Sequence, residues 1–181
     1  MPLVVVTGLP GSGKSTIADG LSERLALPLI AKDRFKEILF DTLGTADLAW
    51  SQRIGAAAIA LQYEVMRSVG HAVVDSALWT DRSEPELVAL GQPMIQVFCD
   101  CPFELARRRF FARVGNSALR HQGFSEEEMS QEDYNRFTPL SEPLRVPVPL
   151  VRLDTSVPLD IKRLDQAERT VRAALAEAVA P

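Results

Sequence analysis

The chain has 181 residues, of which 46% are hydrophobic and 24% charged, with a formal net charge of −4. That is enough apolar material for one well-buried domain spanning 1–181, too little length for two, and too much for a disordered chain. Its longest apolar runs fall short of a bilayer-crossing length, and its acidic balance weighs against a broad nucleic-acid surface, so a soluble cytoplasmic protein with no membrane partner is expected.

The first predicted element is a strand over Leu3–Val6, a β-branched run of the kind buried in a parallel sheet. It leads into Gly8-Leu9-Pro10-Gly11-Ser12-Gly13-Lys14-Ser15, which meets every fixed position of the phosphate-binding pattern G-x-x-x-x-G-K-[ST]. Consecutive inward backbone N–H groups form a nest for a polyphosphate tail, and glycines let the backbone come close to it. Lys14 supplies a point charge between terminal phosphates, and the Ser15 hydroxyl a ligand for Mg²⁺. Residues Gly8, Pro10, Gly11, Ser12, Gly13, Lys14, Ser15 and Thr16 are therefore the predicted nucleotide-binding loop. Ile17, Ala18, Leu21 and Leu25 recur at helical spacing after it, and Pro28 stops that helix.

A second strand over Leu29–Ala31 precedes a helix from about Asp33 to Leu43. Asp33 has two readings that do not exclude one another: a helix N-cap, or a carboxylate that accepts a proton from an acceptor hydroxyl. A longer helix, about Asp47 to Val69, carries the stripe Ile54, Ala58, Leu61, Val65, Val69 and ends at Gly70. The third strand, Ala72–Asp75, ends on a carboxylate placed to hold Mg²⁺, with Ser76 beside it. A helix after Ser83 is expected to carry Pro85 in its first turn. Phe35, Phe40, Trp50, Leu78 and Trp79 are either an acceptor pocket or core.

The fourth strand, Met94–Phe98, runs into Cys99 and Cys101, read as reduced thiols at a strand end. Pro102 opens a helix reaching about Val114, on which Arg109 and Arg113 share a face. They suit a transferring phosphoryl group, and a solvated basic face is the competing reading. A polar insert over about 115–138 holds Arg120 and His121 and suggests a lid. The stretch 139–149 carries four prolines and reads as an extended connector. A last strand, Leu150–Leu153, is followed by Asp154 and Thr155 and by a helix from about Leu159 to Val179. Strands alternating with helices predict a parallel α/β sheet, with ligands at the carboxyl ends of the strands.

Taken together, Gly8 to Thr16, Lys32-Asp33-Arg34-Phe35-Lys36-Glu37, Val74-Asp75-Ser76, Cys101-Pro102 leading to Arg109 and Arg113, Arg120-His121 and Leu153-Asp154-Thr155 resemble the P-loop kinase-like proteins often labelled AAA-type ATPases. Relatives of that group include chloramphenicol phosphotransferase, gluconate kinase, zeta-toxin kinases and polynucleotide 5′-kinase domains. The resemblance implies a three-layer, adenylate-kinase-like core with a five-stranded sheet ordered 2-3-1-4-5, ATP as donor and Mg²⁺ as cofactor. It maps an acceptor-side base onto Asp33, lid arginines onto Arg109, Arg113 and Arg120, and the adenine-side turn onto Asp154-Thr155. Lys36, Ser76, Trp79, Arg120 and His121 are the candidate acceptor contacts. Polynucleotide kinases tend to carry an arginine three residues after the aspartate, where this chain has Lys36.

Three functions compete at this point. The first is a kinase acting on a hydroxyl of a small molecule, and the second a polynucleotide 5′-hydroxyl kinase, disfavoured by the net charge of −4. The third is a regulatory ATP-binding protein or ATPase. A GTPase switch is excluded by the lack of an N-K-x-D motif and by Asp75-Ser76-Ala77-Leu78 where D-x-x-G would stand.

Overall fold

The computed structural model describes residues 2–114 and 132–178. Five strands form one parallel sheet: β1 (Leu3–Thr7), β2 (Leu29–Ala31), β3 (Val73–Asp75), β4 (Met94–Asp100) and β5 (Leu150–Asp154), in the order β2-β3-β1-β4-β5. β1 lies at the centre, with Val4 opposite Val73 on one side and Ile95 on the other. The expected strand order is thus present, and each strand lies within two residues of its predicted bounds.

Strand geometry sends alternate side chains to opposite faces, and both faces here are covered. Val4 and Val6 join Ile17, Ala18 and Leu21 of α1 (Lys14–Leu25) and Val171 of α6 (Ile161–Ala178). Leu3 and Val5 pack on the other side with Tyr63 and Met66 of α3 (Leu48–Val69) and Leu87 of α4 (Thr80–Ala89). Helix α2 (Lys32–Leu43) lies against α3, and α5 (Phe103–Val114) follows β4. Gly20 permits the α1–α6 contact, since a Cβ there would lie 2.8 Å from Leu164.

Three local expectations change. Helix α4 starts at Thr80, so Pro85 stands in its sixth position rather than its first turn. The Trp79 carbonyl accepts from the Ser83 amide at 2.8 Å and opens the helix earlier than the proline suggested. Asp33 is not a cap: Ala31 holds that position, and Asp33 lies inside the first turn, with its carboxylate turned to Lys32. The stretch around 133–141, read as the end of a polar insert and the start of an extended connector, is a 3₁₀ helix, Asp133–Ser141. Tyr134, Phe137 and Leu140 stand three apart, the spacing that stacks side chains on one edge of a 3₁₀ helix. Tyr134 and Leu140 are buried there against Phe103, Phe110 and Leu9. Arg120, His121 and most of the predicted insert lie outside the described residues.

Candidate functional site

The carboxyl ends of the strands gather the predicted residues at one edge of the sheet. Gly8 to Gly13 form a loop in which Gly8, Gly11 and Gly13 have φ of 137°, 87° and 92°. A Cβ on Gly11 would come within 2.2 Å of the Ala106 carbonyl oxygen, so the loop lies directly on α5. At Gly13 a Cβ would meet nothing within 4 Å: the backbone there faces open space. Gly13 caps α1 without any side-chain hydrogen bond, which leaves the first N–H groups of the helix to an anion.

Lys14 is buried and its Nζ donates to the Leu9 carbonyl at 2.9 Å, across its own loop. Burial lowers its proton affinity, while Asp75, Cys99 and Asp33 act in the opposite sense. Asp75, at the end of β3, is buried; this raises its pKa, against the pull of Lys14 and of a hydrogen bond with Ser15. Its backbone carbonyl and that of Ile30 both accept from Nε2 of Gln62, at 3.1 and 3.2 Å. That fully buried glutamine on α3 ties the ends of β2 and β3 together.

Asp33 stands at the mouth of the same edge, its side chain 61% exposed and 2.5 Å from Lys32 Nζ. The surrounding protein partly desolvates its carboxyl, which would raise the pKa. Lys32, Lys14 and Lys36 outweigh that and hold it below the usual carboxylate range. Asp33 is therefore an anion at neutral pH.

Arg109 lines the cleft beside Gly11, Ser12 and Gly13. Its guanidinium donates to the carbonyls of Thr155 and Ser156, at 2.7 and 2.8 Å, and touches Cys101 Sγ at 3.6 Å. It fastens the turn after β5, where the Thr155 amide also donates to the Asp100 carbonyl at 2.8 Å. Asp154 accepts from the Ser156 amide at 2.8 Å, and this bond, with Arg163 nearby, lowers its pKa. Arg113 is exposed and lines the cleft beside Gly11, Ser12 and Gly13. That cleft has a volume of about 430 Å³ and runs from the loop to Asp154, Thr155, Val157 and Pro158. The size suits a nucleotide.

Oxygen donors for Mg²⁺ are in place. The Ser15 hydroxyl is close enough to the Asp75 carboxyl to oppose the rise in its pKa, and the Ser12 and Ser76 hydroxyls are buried without a partner. Among the described residues no group of three or more His, Cys, Asp or Glu could form a protein-only metal site. Two protein oxygens completed by phosphates and water match what Mg²⁺ accepts.

Several contributors were not read from the sequence. Tyr134 donates its hydroxyl to the Pro10 carbonyl at 2.5 Å, joining the 3₁₀ helix to the phosphate loop. Gln62 and Arg163 were also missed. Tyr134 had a signal, the three-residue spacing with Phe137 and Leu140; Gln62 had none, being one polar residue on a long helix. Of the acceptor-pocket candidates, Phe40 and Leu78 are core, Trp50 donates its indole N–H to the Gly44 carbonyl at 3.0 Å, and Trp79 packs on Phe137 at 5.9 Å between ring centres.

The central β1, the glycine loop feeding α1 and the strand order define a P-loop kinase fold. A family model described as an AAA domain matches residues 3–144, and the chain belongs to that family. A protein from Chloroflexus aurantiacus, described as an inferred kinase, is 30% identical over 96% of this chain and 97% of its own, with a TM-score of 0.83. A gluconokinase from Sinorhizobium meliloti is 22% identical over 97% of this chain and 92% of its own, at a TM-score of 0.61. The APS kinase CysC of Mycobacterium tuberculosis, solved with AMPPNP and APS, is 22% identical over 97% of each chain, at 0.55. A comparison with curated proteins finds no match. None of the described helices is long and apolar enough to cross a membrane.

Proposed function

We propose that the chain is an ATP-dependent kinase that transfers the terminal phosphoryl group to a hydroxyl of a small molecule. The observation that carries this reading is the convergence of Lys14, Asp33 and Asp75 from three strand ends, close enough for both carboxylate charges to act on the lysine. In this reading the loop amides and Lys14 hold the phosphates, Arg113 adds charge at the rim, and the Asp154-Thr155 turn, fastened by Arg109, flanks the adenine. Ser15 and Asp75 would hold Mg²⁺, which supplies charge neutralisation between the phosphates.

Asp33 accepts a hydrogen bond from the acceptor hydroxyl and aims its oxygen. An aspartate held below the usual carboxylate range is a weak base. Phosphoryl transfer through a loose transition state tolerates that, because the proton leaves late. Support comes from the structural neighbours named for gluconate and APS, which share the fold.

The test is ATP consumption across nucleosides, sugars, sugar acids, antibiotics and 5′-hydroxyl oligonucleotides. Lys14→Ala is expected to lower transfer by about 10²-fold or more through lost phosphate stabilisation. Asp33→Asn is expected to cost about 10²-fold in kcat while ATP binding by calorimetry persists. Full transfer by Asp33→Asn would remove it from the mechanism. ATP hydrolysis equally fast with no acceptor would favour a regulatory ATPase.

A further inference from the structure

The end of the cleft away from the phosphate loop is built around the turn that leaves β5. Three successive carbonyls of that turn each accept from an arginine. Arg163 Nη2 donates to the Asp154 carbonyl at 2.5 Å, Arg109 Nη1 to Thr155 at 2.7 Å and Arg109 Nη2 to Ser156 at 2.8 Å. The two guanidinium groups come from different helices, α5 and α6, and both line the cleft. Val157 and Pro158, the next residues along the chain, give the same end an apolar lining. With phosphates on the glycine loop, this is the end that a base occupies.

Arg163 is charge-compensated, since the Asp154 carboxylate lies 3.6 Å from its Nη2. What it offers a base is therefore donor geometry rather than net charge. A guanidinium carries its N–H donors in a planar fork, and the turn engages Arg163 only through Nη2. Among the described residues its Nε and Nη1 make no hydrogen bond. Purines differ in what they present to such a fork. Guanine and hypoxanthine carry two neighbouring acceptors, O6 and N7, whereas adenine replaces O6 with an amine that sets N–H against N–H. The three carbonyls of the turn, the natural partners of that amine, already hold charged donors.

We propose that Arg163 is the base-reading residue of this cleft and takes the O6–N7 edge of a 6-keto purine, so that guanine nucleotides bind as tightly as adenine nucleotides or more tightly. Arg109, tied through both terminal nitrogens, fixes the turn, and Arg163 aims its remaining donors from the first turn of α6. The inference goes beyond the kinase reading, which names ATP, and it requires only that the cleft hold a nucleotide.

The experiment is calorimetry on the full chain with Mg²⁺ and no acceptor, comparing ADP, GDP and IDP; IDP keeps the keto edge and lacks the 2-amine of guanine. GDP and IDP are expected to bind no more than about threefold more weakly than ADP. Arg163→Met is expected to raise the Kd of GDP and IDP about tenfold and that of ADP less than about threefold. Arg163→Lys, a point charge without the fork, is expected to do the same. Thermal melting confirms that each variant is folded, and an arginine with a merely structural role would weaken all three nucleotides alike. A larger advantage of ADP in the unaltered chain, a GDP preference that IDP does not share, or equal losses for all three in the variants overturns the inference. Failure of every nucleotide to bind overturns it together with the kinase reading. Binding as expected, with no transfer to any hydroxyl, leaves it standing and counts against the kinase reading alone.

Discussion

At the scale of the residue, the ionisation of Lys36 is set by its surroundings. Burial, with Lys32 and Arg136 nearby, brings its pKa down from 10.5 to about 8, against the opposing charge of Asp33. A lysine with a lowered pKa keeps its charge below that value and loses it as the pH rises through it. The Lys36 amino group is therefore expected to titrate at about pH 8, well before an ordinary lysine would. An NMR titration of the lysine side chains measures it, and the inflection should vanish in Lys36→Met. An inflection near the ordinary lysine value would contradict the assigned environment. The identity of such residues was legible in the sequence, but their state was not. Asp33 stood out because it follows a strand. Its lowered pKa owes to Lys32 and Lys36, one residue before it and one turn after it on its own helix, and to Lys14 from the start of α1; only the last was out of reach of the local sequence.

At the scale of the element, the phosphate loop was read completely because its information is local: glycines, a lysine and a hydroxyl at fixed spacing, between an apolar strand and an amphipathic helix. The 3₁₀ helix was not, because its apolar period of three lies among charged residues and prolines and competes with the more familiar helical and strand periods. Arg109 was found on its helix, but its bonds to the Thr155 and Ser156 carbonyls span more than forty residues and were invisible to spacing arguments. Tyr134 is the positioning residue of this group. It reaches Pro10 across 124 residues, and its ring sits among Phe103, Phe110, Phe111 and Phe137. Tyr134→Phe keeps the packing and removes only the hydrogen bond. The expected cost is about 1 kcal/mol of stability. Because the loop is loosened and the acceptor side is untouched, KM for ATP should rise more than kcat falls. A purely structural tyrosine would lower the melting temperature and leave that ratio alone.

At the scale of the whole molecule, the two thiols report on integrity. Cys99 and Cys101 are both free and buried, and burial pushes the Cys99 pKa up to about 12. Thiolate is the reactive form, so neither residue should react readily with a thiol reagent in the native state. Modification is expected to follow opening of the fold, to accelerate with denaturant, and to slow when ATP and Mg²⁺ bind and stabilise the closed form. Rapid modification of either thiol under native conditions would show a more open β4 end than this fold has. The parallel sheet and its helical layers were legible because alternating apolar runs and amphipathic segments carry that information directly. The contact between the 3₁₀ helix and the phosphate loop was not, since Tyr134 and Pro10 meet only once distant segments have come together.

The position of β1 has a consequence for biosynthesis. The strand that is made first is the one that ends in the middle, between β3 and β4. While the chain emerges from the ribosome, Leu3–Thr7 can find no lateral partner until Val73 appears, and its second edge stays open until Met94 follows. Domains of this size generally fold as units, and unpaired strands invite aggregation in the interval. The glycine loop that follows β1 is thus among the last parts to take shape, and a nascent chain halted before β4 would present an apolar strand to chaperones rather than a finished loop.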